Sequence, residues 1–157
     1  MGPKVGTTKS DTTKGVPLNT PELADEGSRI RVVLGKMRFD AHDVGARFIM
    51  RRLVDAGMEV IFVRFAIVAD LVEAALQEDA HVIAISSLTG GHMTVAKNLV
   101  QSVRKAGLED RLLLIGGVIA DGDVEQIKAM GVAGVFGPGT DADSVVQFIK
   151  DRVELGD

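Results

Sequence analysis

Cysteine is absent from the 157-residue sequence, which excludes disulfide bonds, cysteine-ligated zinc, iron–sulfur clusters and thiol catalysis. Tryptophan and tyrosine are also absent, so the protein absorbs little near-ultraviolet light. No apolar run approaches the roughly 18 residues of a membrane-spanning helix, and the N-terminus has no apolar stretch of the kind found in signal peptides. We therefore expect a cytoplasmic protein with no membrane partner.

The sequence also has no excess of basic over acidic residues. Lysine and arginine number 18 against 22 aspartates and glutamates, a formal net charge of −4. Nucleic-acid binders usually need a basic surface to meet phosphates, so we expect no nucleic-acid partner. The remaining composition, 46% hydrophobic and 25% charged, is typical of one globular domain of this length.

Residues 1–28 differ from the rest of the chain. They hold three of the four prolines and none of the six phenylalanines. Such a segment buries too little apolar surface to offset the entropy lost on ordering. The composition predicts a disordered tail over 1–28, or an arm that orders on a partner protein, followed by a folded domain over 29–157.

Within that domain, apolar β-branched runs alternate with amphipathic stretches. The predicted strands cover 30–34, 58–63, 81–85, 111–115 and 133–136. The predicted helices cover 44–56, 68–78, 92–105, 122–130 and 141–153. Strands that are apolar throughout are typical of a parallel sheet covered by helices on both faces. The pattern predicts a flavodoxin-like, doubly wound α/β fold with a five-stranded parallel sheet in the order 2-1-3-4-5.

In such a sheet, ligands bind beyond the carboxyl ends of the strands. The predicted loops at that edge are rich in small and flexible residues; they comprise 36–45, 86–91, 116–117 and 137–140. A single glycine in such a loop commonly serves only a tight turn. Four loops of this kind on one edge favour a spacious ligand site.

The first of these loops contains Asp40 and His42. This spacing suits a carboxylate that orients an imidazole, as in many metal-ligating histidines, and Asp43 is a suitable N-cap for the helix that follows. His81 and His92 belong to other elements, so the pattern favours a metal that brings most of its own ligands. A surface histidine bonded to a nearby aspartate is the alternative that the spacing alone leaves open.

Three motifs occur in order, namely Asp40-x-His42-x-x-Gly45, Ser86-x-Leu88 and Gly116-Gly117. Together they resemble the signature of cobalamin-binding domains, and the similarity runs over about residues 30–153. Several further segments look like the methylmalonyl-CoA mutase group, in which some members carry the cobalamin domain as a separate small subunit; they are 36–37, 40–45, 86–88 with 90–92, 116–119 and 136–140.

The resemblance implies roles for individual residues. His42 would replace the cofactor's own dimethylbenzimidazole as the lower axial ligand of cobalt, and Asp40 would hold and polarise His42. Gly45 would let the nucleotide tail pass close to the first helix, and Ser86 would hydrogen-bond the displaced base. The remaining residues would line the slot that receives the tail or close its far side: Leu88, Gly116 and Gly117 in the first group, and Phe136, Gly137 and Thr140 in the second.

The function implied by the resemblance is that of a small subunit in an adenosylcobalamin-dependent acyl-CoA mutase. A separate large subunit would hold the acyl-CoA in a TIM barrel, and this chain would not be catalytic alone. The alternative is a corrinoid module outside the mutases, either a methyl carrier or a cobalamin sensor. A phosphoacceptor receiver domain is disfavoured, because Ser86 and Gly137 stand where it needs an aspartate and a lysine.

The sequence departs from the usual family pattern in two places. Ala41 and Val44 stand in the first loop where relatives often have glycine and arginine, and losing the arginine removes a charged hydrogen-bond donor. The segment 65–68, Phe-Ala-Ile-Val, is apolar where relatives are usually polar. An exposed apolar loop is often a contact surface, although packing of the next helix would explain it equally well.

Overall fold

The protein is described by a computed structural model over residues 29–41, 44–87 and 91–155. The predicted tail over 1–28, together with His42, Asp43 and Leu88, lies outside the described residues. Strands and helices alternate along the chain in the order β1 (Arg31–Met37), α1 (Val44–Asp55), β2 (Glu59–Phe65), α2 (Val68–Gln77), β3 (Val82–Ser87), α3 (His92–Ala106), β4 (Leu112–Gly117), α4 (Asp121–Met130), β5 (Gly134–Phe136) and α5 (Ala142–Arg152).

The sheet confirms the predicted fold class. Its strands run in the order β2-β1-β3-β4-β5, and every neighbouring pair is parallel. The order reverses between β1 and β3, which is where a doubly wound sheet opens a crevice for ligands. Among the described residues, no helix is long and apolar enough to cross a membrane.

The strand boundaries correct the sequence prediction. Each strand begins one residue later than predicted, and β1 to β4 end two or three residues later. Lys36, Ser86 and Gly116 therefore lie in strands and not in the loops to which they were assigned. Polar and glycine residues interrupt the apolar pattern there, but pairing continues, because Lys36 lies opposite Ser86 and Ser86 opposite Gly116.

Two apolar layers cover the sheet, one on each face. Alternate residues of a strand point to opposite faces, so Val33 packs with α2, α3 and α4, while Val32 and Leu34 pack with α1 and α5. Helices α1 and α5 are joined by an ion pair between Arg52 and Asp143. This helix pair forms one wall of the cleft described below.

Candidate functional site

A cleft of about 440 Å³ opens at the carboxyl edge of the sheet, on the face covered by α1 and α5. Leu34, Ala84 and Leu114 from three adjacent strands contribute to its lining, as does Val145 from α5. Phe48 of α1 is 58% exposed and lies at the same cleft. The interior is thus mainly apolar, as ligand pockets commonly are.

Seven of the ten predicted site residues line this cleft: Gly45, Ser86, Gly116, Gly117, Phe136, Gly137 and Thr140. Asp40 is not among the lining residues and is fully buried. His42 and Leu88 lie outside the described residues. The fold therefore brings together residues from five separate elements and loops, and their contacts with a ligand remain predictions.

Three glycines that line the cleft border open space. A Cβ atom built on Gly45, Gly137 or Gly139 would meet nothing within 4 Å, although all three residues line the cleft. Gly45 lies in the first turn of α1, where glycine is less favourable to the helix than alanine. A side chain at Gly45 would therefore extend into open space without a steric clash.

The far wall is formed by Phe136 and the turn that follows it. The ring of Phe136 meets that of Phe148 edge to face, with centroids 5.3 Å apart. The Thr140 hydroxyl donates a hydrogen bond of 2.7 Å to the carbonyl oxygen of Gly137. This bond closes the turn over 137–140, so the wall is held by packing on one side and by a hydrogen bond on the other.

Asp40 forms an ion pair with Lys36, with 2.9 Å between Lys36 Nζ and Asp40 Oδ2, and neither side chain has exposed surface. The Asp40 backbone is held as well, because its N–H donates to Met37 and its carbonyl accepts from Arg64 Nη1 at 3.3 Å. Burial of a carboxylate is costly unless an opposite charge compensates it. The arrangement fixes a negatively charged group two residues before the predicted axial-ligand position.

Lys36 is the residue of this site to which sequence reasoning gave no role. The available signal was a lysine on the same strand face as Leu34, four residues before Asp40. A lysine in an apolar strand needs a buried counter-charge, and Asp40 supplies it.

A second polar contact joins the start of α3 to the end of β3, beside the end of β4. The buried ring of His92, at the start of α3, has its Nε2 3.0 Å from the carbonyl oxygen of Ser87. Gly117 has a φ of 144°, and a Cβ there would collide with the Ser87 carbonyl and lie 2.9 Å from His92 Nε2. Glycine is therefore required at 117 for these groups to come together.

His81 lies at the opposite, amino edge of the sheet, as predicted. Its Nδ1 accepts a 2.9 Å hydrogen bond from the backbone N–H of Arg31. Burial lowers the pKa of His81. The negative charge of Asp79 acts to raise this pKa, and the positive charges of Arg31 and Arg111 lower it further. Within the described residues, no three histidine, aspartate or glutamate side chains are grouped to hold a metal ion.

Exposed apolar side chains surround the carboxyl edge. Phe39 is 71% exposed, Val44 82%, Ile67 62% and Val118 60%; we call these four the apolar rim. The sequence did not decide whether the apolar segment 65–68 is a contact surface or packs against the core. In the structure its end residues Phe65 and Val68 are buried, while Ile67 is exposed. The segment therefore both packs against the core and presents an apolar surface.

The model of a family described as "B12 binding domain" matches residues 30–147 of this chain. The methylmalonyl-CoA mutase of Escherichia coli is 39% identical over 134 residues, which make up 85% of this chain and 18% of that enzyme. The pivalyl-CoA mutase small subunit of Xanthobacter autotrophicus is 36% identical over 134 residues, 82% of this chain and 90% of that subunit. The chain thus spans about 18% of the length of the methylmalonyl-CoA mutase.

Solved structures share the fold. A protein from Desulfitobacterium hafniense, described as a novel cobalamin-binding protein, superposes with a TM-score of 0.68 at 22% identity, over 81% of this chain and 60% of that one. This likeness supports the architecture of the sheet and its helices.

Proposed function

Because the chain belongs to the B12-binding domain family, we propose that it is the cobalamin-binding small subunit of an adenosylcobalamin-dependent acyl-CoA mutase. The observation that carries the proposal is the convergence of seven predicted site residues on one apolar cleft, beside the buried Lys36–Asp40 pair. Relatives that are 36–39% identical are mutases by name, which does not favour the alternative of a methyl carrier or a cobalamin sensor.

The lining of the cleft suits the nucleotide tail of cobalamin in its chemistry. Leu34, Ala84 and Leu114 offer apolar surface to an aromatic base, and Ser86, which also lines the cleft, would hydrogen-bond one of its nitrogens. The open space beside Gly45 leaves room for the sugar–phosphate part. Leu88 is a further residue predicted to contact the nucleotide tail.

In this proposal His42 would bind the cobalt of the cofactor. Asp40 would accept a hydrogen bond from the imidazole and so select which ring nitrogen is available to the metal. Lys36 compensates the buried charge of Asp40 and restrains its carboxylate. When bound, adenosylcobalamin supplies homolytic cleavage of its cobalt–carbon bond, which starts the radical rearrangement.

The acyl-CoA substrate belongs to a partner in this proposal. One relative is named as a mutase small subunit, and in this proposal a separate large subunit with a TIM barrel binds the thioester. The apolar rim supplies the kind of surface that such a contact buries. The complex would act in the cytoplasm as an isomerase.

The test is retention of adenosylcobalamin on a sizing column, with and without a candidate large subunit, for the unaltered chain and for His42→Ala. Because the protein absorbs little near-ultraviolet light, co-eluting cobalamin is readily seen. We expect retention, and electron paramagnetic resonance of the cob(II)alamin form should show nitrogen ligation that His42→Ala abolishes. Failure to retain cobalamin even with a partner would overturn the proposal.

A further inference from the structure

Four polar or charged side chains are buried among the described residues: Lys36, Asp40, Ser87 and His92. All four lie at the carboxyl edge of the sheet. Lys36 and Asp40 form an ion pair, the ring of His92 bonds the backbone carbonyl of Ser87, and the Ser87 hydroxyl has no hydrogen-bond partner among the described residues. Buried polar groups are costly unless they are hydrogen-bonded, so their concentration at this edge needs a reason. The Lys36–Asp40 pair belongs to the proposed axial-ligand loop, whereas the contact between His92 and Ser87 has no role in the proposed function so far.

The contact between His92 and Ser87 lies where three elements meet. His92 begins α3, Ser87 ends β3, and Gly117 ends β4. A carbonyl oxygen can only accept, so Nε2 of His92 donates its proton to the Ser87 carbonyl. The same nitrogen lies so close to the backbone of Gly117 that a Cβ there would be 2.9 Å from it.

We infer that His92 is a positioning residue that sets the width of the cobalamin tail slot by holding the ends of β3 and β4 in register. The inference rests on the proposed function. Gly117 lines the cleft, and Ser86, which also lines it, directly precedes the carbonyl group that His92 restrains. Loss of the imidazole frees both strand ends to shift, and the Ser86 hydroxyl and the Gly117 backbone shift with them.

Histidine suits this position for two reasons. Its N–H donor lies at the far end of a rigid ring, so the donor is fixed once the ring is packed, and the ring is only 7% exposed. Its flat shape also lets the backbone of Gly117 approach. Leucine has a comparable bulk without a donor, whereas glutamine offers a donor at a similar reach on a more flexible chain.

The test compares His92→Leu and His92→Gln with the unaltered chain. Leu99→Ala is the matched control, because Leu99 is fully buried in the same helix α3 but does not line the cleft. Two probes are used: cobalamin, and cobinamide, which has the corrin ring and cobalt but lacks the nucleotide tail. Dissociation constants come from absorbance titrations, under the condition in which the unaltered chain retains cobalamin, and stability comes from thermal unfolding followed by circular dichroism.

We expect His92→Leu to weaken cobalamin binding by roughly 10-fold or more, as is typical when a group that orients a binding residue is removed. Cobinamide binding should stay unchanged, because this probe does not enter the slot. His92→Gln should restore most of the cobalamin affinity, and Leu99→Ala should lose stability without losing affinity. This pattern distinguishes positioning of the slot from general support of the fold.

Equal weakening of cobalamin and cobinamide by His92→Leu would overturn the inference, as would unchanged cobalamin binding or an equal loss of affinity in Leu99→Ala. If His92→Leu does not fold, His92→Asn takes its place, since its shorter amide keeps a donor that cannot span the same distance. Failure of the unaltered chain to bind cobalamin at all would instead overturn the proposed function, and the inference with it.

Discussion

Lys36 and Asp40 form the most buried ion pair among the described residues, with no exposed surface on either side chain. Breaking such a pair is strongly destabilising, because removing one partner leaves the other charge uncompensated inside the protein. Asp40 lies two residues before the predicted axial ligand, and the contribution of the pair to the stability of the fold is measurable by single substitutions.

We expect Lys36→Met to lower the free energy of unfolding by about 3–5 kcal/mol, the range for breaking a buried pair. Urea denaturation followed by circular dichroism measures this change. The control is Arg51→Met, which breaks the exposed pair between Arg51 and Asp55 and should cost no more than about 1 kcal/mol. An equal loss in both variants would contradict a special role for the buried pair.

We expect His81 to make the stability of the protein depend on pH. Burial lowers the pKa of His81 below its ordinary value of 6.5, so between these two pKa values the unfolded chain binds more protons than the folded one. The free energy of unfolding should therefore be unaffected by this group above pH 6.5 and should fall as the pH drops below it.

Protonation of His81 Nδ1 would also remove the acceptor for the Arg31 N–H, which joins the starts of β1 and β3. In His81→Gln the side-chain carbonyl keeps an acceptor but does not titrate, so its loss of stability between pH 7 and 5 should be smaller. Urea denaturation at several pH values measures the difference, and parallel curves for the two proteins would contradict this assignment.

At the scale of elements, α1 shows how a ligand site competes with helix stability. Gly45 lies in its first turn and faces open space at the cleft. We expect Gly45→Ala to raise the free energy of unfolding by about 0.5–1 kcal/mol, and to weaken cobalamin binding because the added methyl group narrows the slot. Thermal unfolding and absorbance titration of the same samples measure the two opposite changes.

Gly117→Ala is the contrasting variant. Its Cβ would collide with the Ser87 carbonyl, and its φ of 144° is strained for any residue with a side chain. Both stability and cobalamin binding should fall in this variant. If Gly45→Ala also destabilised the protein, glycine at 45 would be needed by the helix itself and not by the cleft.

At the scale of the whole molecule, the apolar rim is the surface through which we expect this chain to meet a large subunit. Ile67→Glu should leave thermal stability and the fold unchanged, because the side chain is 62% exposed, and it should weaken association by placing a charge in an apolar contact. Sizing chromatography with a candidate large subunit measures the change.

Leu76→Glu is the matched control for the rim. Leu76 is also exposed and apolar, but it lies in the last turn of α2, at the end of that helix away from the rim. Association should be unchanged in this variant. An equal effect of Ile67→Glu and Leu76→Glu would mean that the contact does not centre on the rim.

The strand order and helix succession were predictable because they depend on local patterns. The apolar runs have the length of strands, and they alternate with amphipathic stretches of helical period. For a chain of this size, this pattern is compatible with few folds. The boundaries at Lys36, Ser86 and Gly116 were not predictable in this way, since these residues continue the strands by pairing with one another across the sheet. Partners that are far apart in sequence decide such boundaries.

The sequence by itself determined the fold class and, through three short motifs, the set of residues expected around cobalamin; His42 and Leu88 remain predictions of that set. Tertiary structure alone decided that Lys36 is buried against Asp40, that His92 bonds the end of β3, and that seven of the predicted site residues line one cleft. Periodicity and motif spacing are properties of neighbouring residues along the chain. Burial, ion pairing and close backbone approach arise only when distant segments pack, because packing removes the water that would otherwise solvate these groups.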